Sequence, residues 1–172
     1  MWAEGEARLE VKLIARRVWS LRGRRPRSCG RTRYDWLYVY AFARPSTGQT
    51  FCVILPRVNA ERMGDALAAF AAHADPGGGK VLVVLVDNAG WHVARRLTVP
   101  RDVVLHFLPP CALELQPAEP LWPPVREAVA NRAIGRLDWR RAILRTRLGH
   151  LARTPEVVQP VISFRWATRL ER

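Results

Sequence analysis

Lys80-Val81-Leu82-Val83-Val84-Leu85-Val86-Asp87-Asn88-Ala89-Gly90-Trp91-His92 is the stretch on which the fold turns. Lys80 to Val86 reads as a continuous apolar strand of the kind buried on both faces of a sheet. It ends in an acid, so the Asp87 carboxylate is expected at the strand's C-terminal edge. Gly90 lets the backbone turn sharply into a short helix, expected over Trp91 to Leu97. An Asp in this place also commonly caps the helix that follows. Thirty-two positions on, a second acid, Glu119, lies within Leu115-Gln116-Pro117-Ala118-Glu119-Pro120-Leu121-Trp122. This segment reads as the start of a helix running to about Asn131. An acid in a first helical turn is ordinarily a favourable partner for the helix dipole. Together, an acid at the mouth of a buried strand and another on a later helix are a way to hold a divalent metal over a nucleic-acid phosphate.

Outward from these acids the pattern alternates between strands and helices. Ala7 to Trp19 reads as a strand or strand pair. Tyr34 to Arg44, rich in aromatic and β-branched residues, is a strand. Pro45-Ser46-Thr47-Gly48 turns the chain into a partner strand, Gln49 to Leu55. Asn59 is a candidate N-cap for a helix through Ala74, along which Met63, Ala66, Leu67 and Phe70 recur at three- and four-residue spacing. Val103 to Leu108 reads as another buried strand closed by Pro109-Pro110. Helices are expected over Asp138 to Leu151 and Pro155 to Val161. The order predicts one α/β domain over residues 1–172, with strand ends forming the natural site.

Composition narrows the function classes. The chain has 172 residues, 49% of them hydrophobic, which suits one domain with a real core. Its longest apolar run is far below the roughly 18 residues needed to cross a bilayer. A soluble, cytoplasmic protein with no membrane partner is therefore expected. The net charge is +13, from 28 basic residues of which only Lys12 and Lys80 are lysines. Such charge favours nucleic acid, and the arginine fork pairs well with phosphate. Arginine bias also arises simply from a GC-rich genome. Cys29, Cys52 and Cys111 are scattered, which argues against a disulfide framework or a zinc site.

Asp87-Asn88-Ala89-Gly90-Trp91-His92, Phe107-Leu108-Pro109-Pro110 and Leu115 to Trp122 resemble the catalytic half of bacterial transposases of the IS630/Tc1-mariner superfamily. Arg16-Arg17-Val18-Trp19, Arg25-Pro26, Tyr34 to Tyr40 and Ala130-Asn131-Arg132 also fit, and the resemblance covers nearly the whole chain. It implies a ribonuclease H-like fold: a central mixed sheet, an N-terminal hairpin, and helices on both faces. It implies DNA, as transposon ends and target, for a partner, with room for a homodimer. It also implies a site of three acids (Asp, Asp, Glu) holding two Mg2+ or Mn2+ ions, with Asp87 and Glu119 as the second and third acids. Family members carry helix-turn-helix modules before this domain, whereas Met1 lies four residues before the expected first acid. The chain is thus expected to be a catalytic-domain fragment.

The first acid belongs to an Asp-Glu-Ala-Arg segment, and the matching stretch here is Gly5-Glu6-Ala7-Arg8. Successive strand residues face opposite sides, so if Gly5 points into the site, Glu4 and Glu6 point away. A bulge at the glycine, or fraying so near the terminus, would be a way for Glu6 to turn inward. Impaired cleavage follows, and the competing class is a non-enzymatic nucleic-acid-binding remnant. Arg16, Arg17, Arg22, Arg24, Arg25, Arg27, Arg31 and Arg33 lie in a Gly-interrupted basic stretch expected to meet the phosphate backbone. His92 is a further candidate for phosphate contact, although a histidine there is more often exposed or capping. Trp91, Trp122 and Trp139 are expected to pack in the core or between helices.

Overall fold

Alternation along Trp2–Glu10 (β1) sets out the middle of the molecule, because this strand is hydrogen-bonded on both sides. The computed structural model describes residues 1–10, 14, 16–27, 35–132, 134 and 136–170. Trp36–Ala43 (β2) pairs antiparallel with β1, and Thr50–Leu55 (β3) pairs antiparallel with β2. On the other side, Leu82–Val86 (β4) runs parallel to β1, and Val103–Phe107 (β5) parallel to β4. The order β3-β2-β1-β4-β5 makes a mixed sheet of five strands among the described residues.

Each face of the sheet has its own core. Ala7, Leu9, Leu37, Val39 and Ala41 face Trp122–Glu127 (α2), Leu137–Arg153 (α3) and Pro155–Ile162 (α4), through Trp122, Val125, Leu144, Leu148, Val158 and Ile162. Trp2, Tyr40, Phe42, Val84 and Val86 face Ala60–Ala74 (α1), through Met63, Ala66, Leu67 and Phe70. Phe70 stacks on Phe42 at 4.2 Å and meets Trp2 edge-on at 5.1 Å. The helix starts where its cap predicts, with the Asn59 side chain accepting from the Arg62 N–H at 2.8 Å. Gly48 closes the β2–β3 turn at φ 77°, and any Cβ there would strike the Pro155 carbonyl. Helices on both faces and the hairpin are as expected. No described helix is long and apolar enough to cross a membrane.

Several expectations change. The first strand begins at Trp2 rather than Ala7, and its last partner is Glu10 with Trp36. The charged segment from Arg16 to Arg27 joins no strand and is irregular. The register is unbroken from Ala3↔Ala43 to Glu10↔Trp36, so there is no bulge at Gly5. Trp91 to Leu97 is a chain of turns, not a helix. His92 and Val93 N–H both converge on the Ala89 carbonyl, and this ring-like start does not propagate. β5 is an edge strand of the described sheet, with Val104 and Phe107 exposed, not a buried one. Pro123 and Pro124 have no N–H with which to bond the carbonyls of the turn before them, so Glu119–Leu121 is a 3-10 turn and α2 begins only at Trp122. A last helix, Arg165–Arg169 (α5), went unforeseen.

Candidate active site around Asp87

Asp87 follows β4 directly, and two residues earlier Leu85 packs on Ala118, the neighbour of Glu119. The parallel register pairs Trp2 with Val84 and Ala3 with Leu85, and continuing it brings Gly5 level with Asp87. A Cβ on Gly5 would lie 3.2 Å from Ala118 Cβ and 3.6 Å from Trp122 Cζ2. Gly5 therefore faces the segment that carries Glu119. Burial raises the Glu119 carboxyl, and the charges of Asp87 and Glu6 add to the rise, against the nearby Trp122 indole and Arg126. The charge of Asp87 thus reaches Glu119.

Glu4 and Glu6 point to the other face, where sequence reasoning assigned them no partner. They converge on His92. The imidazole Nε2 lies 3.0 Å from Glu6 Oε1 and 3.2 Å from Glu4 Oε2, and Nδ1 lies 2.8 Å from Asp87 Oδ1. The Trp91 indole donates to the same Glu6 oxygen at 2.6 Å. Glu4 is fully buried, and neither of its carboxyl oxygens has a hydrogen bond. With both ring nitrogens facing carboxylates, the ring is an imidazolium donating on both sides.

The electrostatics follow from this geometry. Burial pushes Glu4 up to about 8, with repulsion from Glu6 adding to it and His92 opposing. Burial alone would lower His92, but its contacts with Asp87, Glu4 and Glu6 outweigh that and raise it to about 12. Asp87 is held below the usual carboxylate range, first by the His92 hydrogen bond and also by the Ala89 N–H, with burial opposing. The Ala89 N–H bonds Asp87 Oδ1 at 2.9 Å, so Asp87 also secures the turn after its strand.

These contacts correct the reading of His92. It is 3% exposed and enclosed by acids, so its ring does not face an incoming phosphate. The tryptophans differ among themselves: Trp122 is core, Trp91 holds Glu6, and Trp139 is 63% exposed and packs in neither core. The sequence did carry a signal for the buried cluster. Glu4 and Glu6 share a strand face with Trp2, and two carboxylates in a row on a buried face call for a cation.

Arg16, Arg17, Arg22, Arg24, Arg25 and Arg27 all lie on an exposed, irregular arm. Arg31 and Arg33 fall outside the described residues. The arm is anchored at its base. Asn131 accepts from the Arg16 N–H at 2.8 Å and donates to its carbonyl at 3.1 Å, while its own N–H reaches the Ile14 carbonyl. Arg16 also meets Glu127 at 3.5 Å, an exposed pair of little energetic weight. Beside Asp87, Phe107-Leu108-Pro109-Pro110 serves a different end: the Leu108 carbonyl receives the Asn88 amide at 2.6 Å and so fixes the turn after β4.

Comparison with known proteins agrees with this architecture. Protein y4pE/y4sA of Sinorhizobium fredii is 37% identical over 92 residues, which is 54% of this chain and 67% of that protein. The crystal structure of a pre-cleavage Mos1 transpososome matches with a TM-score of 0.65 at 13% identity, covering 99% of this chain and 55% of that one. The Mos1 mariner paired-end complex with Mn gives 0.62 at 17%, covering 94% and 53%. The chain thus has the ribonuclease H-like fold of that transposase and spans about half the length of the Mos1 chains it matches. Residues 6–138 match the DDE superfamily endonuclease family, and the chain belongs to that family.

Proposed function

We propose that residues 1–172 act on DNA as a transposase domain of the IS630/Tc1-mariner type, with Asp87 and Glu119 as the second and third acids of the ancestral site. The observation that carries this is the position of Gly5. It lies level with Asp87 on β1 and faces Ala118, next to Glu119, where a first acid would complete the set. Cleavage and joining of DNA by this family rest on carboxylates that position divalent ions at the scissile phosphate, and two ions need ligands on both sides of it. Gly5 offers no ligand atom. Among the described residues, the one group of three potential ligands is Glu4, Glu6 and His92, on the opposite face of β1. The residues present therefore do not fit a two-ion Mg2+ or Mn2+ centre, and cleavage is impaired.

The arginine arm supports DNA as the partner, since six arginines on one exposed segment form a phosphate-binding strip. It also favours the second reading, a DNA-binding remnant that no longer cuts. Incubation with supercoiled plasmid in Mg2+ or Mn2+ separates the readings. We expect salt-sensitive binding without nicking, and metal-dependent nicking to appear only in Gly5→Asp. Robust nicking by the unaltered chain, abolished by Asp87→Ala, would overturn the impairment. Failure to bind DNA at low salt would overturn both readings.

A further inference from the structure

We propose that Glu4, Glu6 and His92 form a mononuclear site for a late first-row divalent ion of the Zn2+ class, on the opposite face of β1 from Glu119 and sharing Asp87 only as the carboxylate that positions His92. One ligand atom from each of the three lies within 4.8 Å of the others, a separation that a single ion can bridge. The surroundings are those of a built site. Asp87 Oδ1 holds His92 Nδ1 at 2.8 Å, which fixes the ring and leaves Nε2 aimed at Glu4 and Glu6. A carboxylate behind a histidine is the arrangement that orients metal-binding imidazoles and raises their basicity. The Trp91 indole, 2.6 Å from Glu6 Oε1, steadies the second ligand in the same way.

An independent observation points to a missing partner. Glu4 is fully buried in the middle of the sheet, and its Oε1 has no hydrogen bond, nor does its Oε2 despite lying 3.2 Å from His92. A single imidazolium proton directed at Glu6 leaves Glu4 uncompensated. A divalent ion replacing that proton on Nε2 would satisfy Glu4, Glu6 and His92 at once, while Nδ1–H stays on Asp87. Imidazole with two carboxylates suits Zn2+ or Co2+ over Mg2+, which seeks octahedral oxygen and retains its water.

The test is calorimetric titration of the purified chain with Zn2+, with Mg2+ as comparison, and absorption spectroscopy with Co2+. We expect one Zn2+ per chain, no competition from millimolar Mg2+, and a Co2+ spectrum without a thiolate charge-transfer band. Asp87→Asn should weaken Zn2+ by roughly 10- to 100-fold. Glu4→Gln should abolish saturable binding, and Glu119→Gln should leave it unchanged. Circular dichroism establishes that each variant is folded. If Glu4→Gln does not fold, the Co2+ spectrum and the Asp87→Asn titration decide the matter. A thiolate band, pointing to Cys52 or Cys111, overturns the proposal. So does absence of saturable binding, or binding indifferent to both Glu4→Gln and Asp87→Asn. None of these outcomes depends on whether the chain cuts DNA.

Discussion

Replacing His92 by glutamine should be among the most damaging single changes in the chain. The substitution keeps a polar side chain but removes the one cation among Glu4, Glu6 and Asp87, two of which have almost no exposed side-chain surface. Breaking a buried ion pair by deleting one partner costs about 3–5 kcal/mol. For a domain of this size, at about 2–4 °C per kcal/mol, Tm should fall by about 6–20 °C. Two titrations act on the loss, in opposite directions. His92 is raised in the folded state from 6.5 to about 12, so its contribution is complete below pH 6.5 and fades as pH climbs towards 12. Glu4 is raised from 4.5 to about 8, so folding is increasingly opposed between those values as the carboxyl is asked to ionise in a buried place. The glutamine variant can relieve repulsion by keeping Glu4 protonated, which is easier at pH 5 than at pH 8. Thermal melts by circular dichroism, with chelator present to exclude metal, measure this directly. Between pH 5 and pH 8 these two effects oppose one another, so the magnitude is the test: a drop under about 2 °C at both pH values would refute a charged His92 as the keystone of the cluster.

Other outcomes follow from other parts of the fold. Phe70→Ala removes a ring stacked on Phe42 and abutting Trp2, and should cost about 3–5 kcal/mol in denaturant melts. Asn59→Ala strips the cap of α1 and should cost about 0.5–2 kcal/mol, also by denaturant melts. Replacing Arg22, Arg24 and Arg25 together should flatten the dependence of DNA affinity on salt by up to about 0.9 log unit per arginine that meets a phosphate. Electrophoretic titrations across salt concentrations measure that slope. Gly5→Asp must displace Ala118 by a few tenths of an ångström, and melts should show a loss of about 1–3 kcal/mol that Mn2+ partly restores.

Much of the architecture was legible because the signals were local and periodic. The apolar run before Asp87, the aromatic strand after Tyr34 and the three- and four-residue spacing behind Asn59 each fix an element without help from the rest of the chain. The failures have tertiary causes. Trp91 to Leu97 has helix-compatible residues, but the pull of His92 towards Glu4 and Glu6 selects turns instead. The exposure of β5 could not be read from Val103 to Phe107, since its place at the edge of the sheet is set by the strand order and not by its own residues. For the site, alternation along β1 correctly sends Gly5 and its two glutamates to opposite faces. What alternation could not convey was that the glutamates' face is closed by a histidine 86 positions beyond Glu6.

The position of β1 in the middle of the sheet bears on whether Glu4 or Glu6 could serve as the first acid of the proposed site. For Glu4 or Glu6 to stand opposite Glu119, the strand would have to slide by one residue against β2. Eight successive pairs would be broken, from Ala3↔Ala43 to Glu10↔Trp36, and β4 would be disturbed as well. The slide would also carry Ala7 and Leu9 out of one core and turn Trp2 away from Phe70. No thermal fluctuation of the native state supplies such a rearrangement. On the proposed reading, a third ligand opposite Glu119 is therefore a matter of heredity rather than of motion: it waits on an acid at residue 5.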